Sequence, residues 1–267
     1  MGMQERTIKD FGEQWSEYRD NEGFYGSIEL FRDMFSPLVF PEEVKGCRVA
    51  DIGSGTGRII RMLLEAGAVH VQAVEPSDAF TVLRENLRGD EGRVSLLKAT
   101  GDRLPPTGDL DYAFCYGVLH HIPDPRPVVL AAFRALRPGG RLVIWVYGKE
   151  GNGPYLALIQ PLRAITIRLP HRALAALVRA LDVLVVAYIA VCRVAPLPMR
   201  DYLLHIMAHL SPEKRRLNLY DQLNPAYAKY YSREEALALL RDGGFDDVRI
   251  HHRHGYSWTV VGTKPAG

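Results

Sequence analysis

Cysteine is scarce in this 267-residue chain: Cys47, Cys115 and Cys192 are odd in number and scattered. That argues against a disulfide framework or a zinc knuckle and fits a reducing, cytoplasmic setting. Net charge is nearly absent as well. Lys and Arg number 33 against 31 Asp and Glu, and the resulting +2 is too small to argue for a nucleic-acid partner. The first twenty residues are polar and charged, without the apolar centre of a signal peptide. The longest purely apolar run, residues 183–192, is too short to span a bilayer. No internal repeat or low-complexity tract is visible. What is present is an ordinary globular balance, 47% apolar and 24% charged, long enough for one large α/β domain or a domain with a sizeable insertion.

From residue 48 onward, short apolar runs alternate with helical patterns. Strands are predicted at 48–52, 69–75, 94–98, 111–116 and 141–147, with helices at 58–65, 79–87 and 128–136 between them. Ser77 is the predicted N-cap of the second helix, and Pro138-Gly139-Gly140 is predicted to stop the third. Residues 148–229 carry no strand pattern; a Gly-Asn-Gly-Pro loop at 151–154 leads into apolar helices. A capping box, Ser232 with Glu235, opens a further helix that Gly243-Gly244 ends. Two last strands, 247–252 and 256–263, are close enough to form an antiparallel hairpin. The expected fold is α/β: a doubly wound, seven-stranded, mostly parallel sheet with an antiparallel last strand and a helical insertion between strands five and six.

The most informative stretch runs from Val49 to Gly57. An apolar strand ends in Asp51, glycines follow at 53, 55 and 57, and a helical pattern begins at once. Such a turn brings backbone close to a small ligand. Its spacing is G-x-G-x-G and not the G-x-G-x-x-G that places a pyrophosphate on a helix N-terminus. Glu75 ends the second strand, where an acid commonly pairs with ribose hydroxyls. Asp102 follows the third strand, Tyr116-Gly-Val-Leu-His-His-Ile-Pro ends the fourth, and Leu136-Arg-Pro-Gly-Gly precedes the fifth.

Together these blocks resemble the class I S-adenosylmethionine-dependent methyltransferases, and among them the small-molecule branch that includes quinone-biosynthesis enzymes. The resemblance covers about 45–148 and resumes at about 230–263. It implies a methyltransferase with S-adenosylmethionine as donor, S-adenosylhomocysteine as product, and no metal. It implies that Asp51, Gly53 and Gly55 line the methionine part of the cofactor and that Glu75 holds the ribose. Asp102 would accept from the adenine amino group, Leu104 would pack nearby, and Tyr116 would sit beside the sulfonium. It divides the chain into an N-terminal helical lid (1–44), a cofactor-binding core (45–148), a helical cap (149–229) and the closing helix and hairpin (230–267). Trp15, Tyr18 and Tyr25 are lid candidates. The acceptor expected is small or lipid-like, with oxygen favoured. The other reading is a binding protein that has lost catalysis. The Asn-Pro-Pro-Tyr motif of base-amino methylation is absent after the fourth strand, and no basic, aromatic-rich stretch is seen, so nucleic acid is not expected as a partner.

Methyl transfer to a hydroxyl benefits from a proton acceptor. His120 and His121 follow the fourth strand, Tyr147 ends the fifth, and the hairpin His251-His-Arg-His-Gly-Tyr256 falls on the same sheet edge. His252, His254, His121 and Tyr147 are the catalytic candidates; Tyr25, Tyr147, His251 and Tyr256 are the substrate candidates. No Asp, Glu or Cys at ligand spacing accompanies the hairpin histidines, which argues against a metal.

Within the cap, residues 172–193 are apolar apart from Arg172, Arg179, Asp182 and Arg193, which share one narrow arc of a helix. From 151 to 210 there are six arginines and only two acids. Such a cap could roof a pocket, rest on an anionic membrane surface or form a homodimer interface. The linker 221–231, rich in tyrosine, returns the chain to the sheet.

Overall fold

In the computed structural model, which describes residues 2–266 and of His171 the backbone alone, strand β1 (Arg48–Ile52) lies near the centre of one sheet. With β2 (His70–Val74), β3 (Val94–Leu97), β4 (Leu110–Tyr116), β5 (Leu136–Tyr147), β6 (Asp246–Arg253) and β7 (Ser257–Thr263), the sheet order is β3-β2-β1-β4-β5-β7-β6. The pairs from β3 to β5 are parallel, and β7 runs antiparallel to both β5 and β6. β6 is therefore parallel to β5, and the β6–β7 turn shares an edge with the carboxyl ends of β1 and β4. Ligands bind at that edge in open α/β sheets.

The helices are α1 (Met3–Glu17), α2 (Ile28–Phe35), α3 (Arg58–Glu65), α4 (Ala79–Asn86), α5 (Arg126–Ala135), α6 (Gly153–Thr166), α7 (His171–Cys192), α8 (Arg200–His205), α9 (Pro212–Leu223) and α10 (Arg233–Arg241). Period-two alternation splits β1 and β4 between two cores. Val49, Tyr112 and Phe114 face α2 and α3 through Phe31, Phe35, Ile60 and Leu63. Ala50, Ala113 and Cys115 face α5 and α10 through Val128, Ala132, Leu237 and Leu240.

The predicted capping box forms: Ser232 Oγ accepts from Glu235 N and the Glu235 carboxylate accepts from Ser232 N. Ser77 is not the formal N-cap of α4, which is Asp78, but its Oγ accepts from Ala79 N at 3.2 Å. The third predicted helix stops earlier than expected, at Ala135. Leu136 already pairs with Leu110, and β5 carries Pro138-Gly139-Gly140 within it, with Gly139 N donating to Lys264 O.

Among the described residues, 153–223 form the four helices α6 to α9 and one 3-10 turn, Met207–His209, that pack as the cap, with Leu174 and Val178 of α7 clustered with Tyr220 and Leu223 of α9. The polar arc of α7 is only partly its solvent face: Arg172, Arg179 and Arg193 are exposed, but Asp182 is not. Asp182 is buried and holds Arg215 at 2.5 Å and Arg216 at 3.2 Å, whereas Val183 and Leu184 are 69% and 64% exposed. The purely apolar run also understated this helix. Arg172–Cys192 has a mean hydropathy of 2.2 and is long and apolar enough, by length and composition, to cross a membrane. A 21-residue helix tolerates a few charged residues in such a window, and an unbroken run does not count them.

Candidate active site

β1 delivers Gly53, Ser54 and Gly55 into a turn that requires glycine at 53 and favours it at 55. Gly53 has φ +77°, and a Cβ there would lie 2.3 Å from Val118 Cγ2. Gly55 has φ +53°, and a Cβ there would meet the Trp15 indole at 3.5 Å. The turn is thus pressed between the loop after β4 and the N-terminal helix.

Glu75 leaves β2 and closes on this turn. Its Oε2 accepts from Gly55 N at 2.8 Å, and its Oε1 accepts from Ser77 N at 2.8 Å and Ser77 Oγ at 2.5 Å. A carboxylate offers about four acceptor positions, so one remains on Oε2, enough for a ligand hydroxyl. Asp51 lies beneath the turn, buried, and its Oδ2 has no partner. Burial pushes its carboxyl up to about 7, against a Ser54 hydrogen bond and with the Glu75 charge. An orphaned buried carboxylate oxygen calls for a cation or a donor. Asp102 is not among the residues lining the adjoining cavity; it lies 3.7 Å from Arg103, half-exposed. Its neighbours Thr100 and Gly101 do line it, and Leu104 is buried in the second core.

The cavity, about 200 Å³, is walled by the glycine turn, α1, the ends of β4 and β5, the β6–β7 turn and the cap. Phe11 and Trp15 of α1 and Tyr25 close one side, while Tyr18 packs instead against Tyr220. The roof comes from Tyr202 and Ile206 after Cys192 and from Leu217, Asp221 and Gln222 of α9; none of the described side chains of α7 contributes. Tyr116 stacks on Trp145 at 4.6 Å, and Trp145 meets Tyr147 edge-on at 5.4 Å and Tyr256 at 6.2 Å.

The hairpin histidines are not where the sequence suggested. His251, His252 and His254 are absent from the cavity wall, and Arg253 between them enters it. Strand alternation turns His252 onto its cross-strand partner Trp258, with ring centroids 4.0 Å apart. His251, half-buried, pairs with Thr259, and His254, at φ +47° in the turn, reaches Asp33 at 2.6 Å. Arg253 is 2% exposed. Its Nε donates to Asp33 at 2.6 Å and its Nη1 to Tyr256 Oη at 2.9 Å and Tyr116 Oη at 3.4 Å.

His121 lines the cavity. Its Nδ1 lies 2.8 Å from the carbonyl oxygen of Tyr227, which can only accept, so Nδ1 carries the proton. Nε2 is buried without a partner, and burial pulls the ring's pKa down to about 4, so this nitrogen holds a lone pair at neutral pH. His120 stands behind it against Tyr147, with centroids 3.8 Å apart and neither ring nitrogen bonded. The Tyr147 hydroxyl donates to Asp221 at 3.3 Å and accepts from Gln222 at 2.8 Å. Burial, then the Asp221 charge, drives that phenol well above its ordinary range, which makes it a fixed donor and not a ready base.

Arg58, Arg253, Asp221, Trp145 and Tyr202 are cavity residues that sequence reasoning did not select. Only Arg253 carried a signal, as the odd residue in a histidine run. Among the described residues no three His, Cys, Asp or Glu side chains gather as metal ligands.

Residues 50–144 match a family described as a methyltransferase domain. A curated relative, the tRNA U34 carboxymethyltransferase of Vibrio cholerae serotype O1, is 32% identical over 123 residues, 45% of this chain and 38% of that protein. The chain thus spans well under half the length of the curated relatives it matches. Human N-acetylserotonin methyltransferase, solved in complex with SAM, superposes with a TM-score of 0.53 at 11% identity, over 98% of this chain and 56% of that one. A SAM-dependent methyltransferase from Thermotoga maritima, described as a possible histamine N-methyltransferase, gives 0.52 at 17% identity, over 96% and 98%. Both structural likenesses are of fold. The curated relatives correct one expectation: proteins named for tRNA stand among those this chain resembles, so a small-molecule or lipid-like acceptor with nucleic acid excluded does not hold. Low net charge failed as a guide because it sums over the whole surface.

Proposed function

Residues 50–144 are a methyltransferase domain of the class I, S-adenosylmethionine-dependent kind, and from that premise we propose that the chain transfers the donor's methyl group to a hydroxyl seated against His121. The donor supplies an activated methyl on a sulfonium, so the protein's work is to position, exclude water and take up a proton. The orphaned Asp51 oxygen, the remaining acceptor position of Glu75 and the close approach at Gly53 suit the donor's ammonium, ribose and backbone-hugging chain. The aromatic wall of Tyr116, Trp145 and Tyr147 suits a flat acceptor group beside the sulfonium.

The observation that carries the reading is the bare Nε2 of His121, buried at the cavity wall with its other nitrogen committed to Tyr227. A neutral imidazole so placed accepts the hydroxyl proton as the oxygen is methylated, a contribution of roughly 10²–10⁴-fold. Asp221, Gln222 and Tyr147 hold the adjoining wall in one hydrogen-bonding arrangement. The reading concerns the group that is methylated and not the molecule that carries it.

The test is transfer of a labelled methyl group from S-adenosylmethionine into separate organic, water-soluble and tRNA fractions, followed by identification of the methylated atom. A methyl ether in any fraction supports the reading. An N- or C-methyl product overturns the hydroxyl assignment, and failure to bind either S-adenosylmethionine or S-adenosylhomocysteine by titration calorimetry overturns the whole.

A further inference from the structure

α7 carries more apolar surface than the fold buries. Leu174, Val178, Ile189 and Cys192 are buried, and Asp182 on the same side ties the helix to Arg215 and Arg216 of α9. These positions recur at intervals of three, four and seven, so they make one face. The opposite side is uncovered. Val183, Leu184, Val186, Tyr188 and Val191 stand exposed, with exposed alanines between them, and Val194 just past the helix end is 87% exposed. A contiguous apolar stripe of this kind gives nothing to folding and marks a surface that meets another body.

The margin of the stripe is basic. Arg172, Arg179 and Arg193 are exposed, and the helical period sets all three along one side of it, near its start, middle and end. Among the described residues none of the three pairs with a carboxylate. The helix's one acid, Asp182, is turned inward. From residue 151 to 210 the only other acid is Asp201, which lies 3.7 Å from Arg200.

This combination selects the occupant. A second copy of the chain would answer the arginines with an apolar or a basic margin, leaving like charges or unpaired ones at the contact. RNA would meet the arginines but set the valines and Leu184 against its phosphates, with only Tyr188 on the stripe able to stack on a base. An anionic lipid surface accepts both features. Apolar side chains enter the boundary between headgroups and acyl chains, and marginal arginines meet the phosphates. The helix lies along that surface and does not cross it, although its length and mean hydropathy of 2.2 are sufficient for a crossing. Crossing would part Asp182 from Arg215 and Arg216 and carry its charge into hydrocarbon.

We propose that the uncovered face of α7 seats the protein on an anionic membrane surface, in the plane of the headgroups, with Arg172, Arg179 and Arg193 on the lipid phosphates. α9 packs against the other face of α7 and carries Asp221 and Gln222 on the cavity wall, so docking brings the cavity close to the lipid. The proposal does not depend on the donor or on the role of His121.

The test is sedimentation of the full chain with vesicles of phosphatidylcholine alone and of phosphatidylcholine mixed with phosphatidylglycerol. Binding is expected to the mixed vesicles and should weaken as salt rises. Arg172→Gln, Arg179→Gln and Arg193→Gln together should lower the partition coefficient about 10²-fold, since each basic residue near such a surface contributes about fivefold. Val183→Ser, Leu184→Ser and Val191→Ser together should lower it by about tenfold or more. All six side chains are exposed, so circular dichroism and Tm should stay unchanged in both variants. Leu184→Trp should shift its emission to shorter wavelength on the mixed vesicles and be quenched by brominated lipid, which places this face, and not the protein at large, against the bilayer. No binding to the mixed vesicles, equal binding to both compositions, or binding that neither set of substitutions weakens overturns the proposal. A native dimer that the serine substitutions dissociate in analytical ultracentrifugation also overturns it, in favour of a second copy. Binding of tRNA that the arginine substitutions abolish, without vesicle binding, overturns it in favour of nucleic acid.

Discussion

The Nδ1–H of His121 donates to the carbonyl of Tyr227 at 2.8 Å, and that bond decides which nitrogen of the ring is free. It joins the loop after β4 to the segment that returns from the cap, so the proposed proton acceptor is oriented from outside the sheet. His121→Phe should lower kcat by about 10²-fold or more with little change in KM or in S-adenosylhomocysteine affinity, since the ring acts on the acceptor and not on the donor. Steady-state kinetics with calorimetry would check this; an unchanged kcat removes His121 from the mechanism.

The same ring sets an acid limit on stability. Its folded pKa, about 4, lies below the ordinary value of 6.5, so between those values the unfolded chain binds a proton that the folded chain does not. Stability is therefore full above pH 6.5 and falls as the pH drops toward 4. The gap is worth on the order of 3 kcal/mol, and buried His120 adds in the same direction. Denaturant unfolding of the native protein across pH 7 to 4 should lose stability more steeply than that of His121→Phe.

Asp51 behaves in the opposite sense. Burial raises its folded pKa to about 7 from 3.8, so the stability linked to its protonated form is full below pH 4 and is lost as pH rises through 7. Asp51→Asn should raise the melting temperature of the ligand-free protein more at pH 8 than at pH 5. Donor binding at pH 6 should release a proton from the native protein, seen as a buffer-dependent heat in calorimetry, and Asp51→Asn should abolish that dependence.

Gly53→Ala should fail twice. Alanine is strained at φ +77°, and its methyl meets Val118 at 2.3 Å. A loss of about 1–3 kcal/mol from the backbone alone is expected, with more from the clash. Gly53→Ala/Val118→Ala should recover the steric part but not the backbone part, which thermal melts of the single and double variants would separate.

Among the described residues Asp33 is the sole carboxylate bonded to buried Arg253, and it also bonds His254. Asp33→Ala leaves that guanidinium buried with only the two tyrosine hydroxyls, and should cost about 3–5 kcal/mol. Asp33→Leu with Arg253→Met should regain much of this, because an apolar pair removes the stranded charge. A double variant no more stable than Asp33→Ala would contradict that account.

Much of the cofactor side was legible in the sequence because it is local. Asp51, Gly53 and Gly55 sit in one turn, and Glu75 follows at the end of the next strand, so spacing along the chain carried them to one edge. The acceptor side was poorly legible. Three histidines in the hairpin drew attention by composition, yet pairing register and a left-handed turn residue sent them to Trp258, Thr259 and Asp33 and left Arg253 to face inward. In the cap, the apolar composition of residues 172–193 suggested the roof, but the roof is built by the less conspicuous residues 202–222.

By itself the sequence determined the strand–helix alternation, the glycine turn, the capping box at Ser232 and the closing hairpin, because each depends on periodicity or on residues a few positions apart. Tertiary structure alone decided that Nε2 of His121 stays bare and that Asp221 reaches Tyr147. Those outcomes depend on segments tens to hundreds of residues apart. The reason is physical: whether a buried polar group is satisfied is set by whatever packs against it, and local patterning leaves that unspecified.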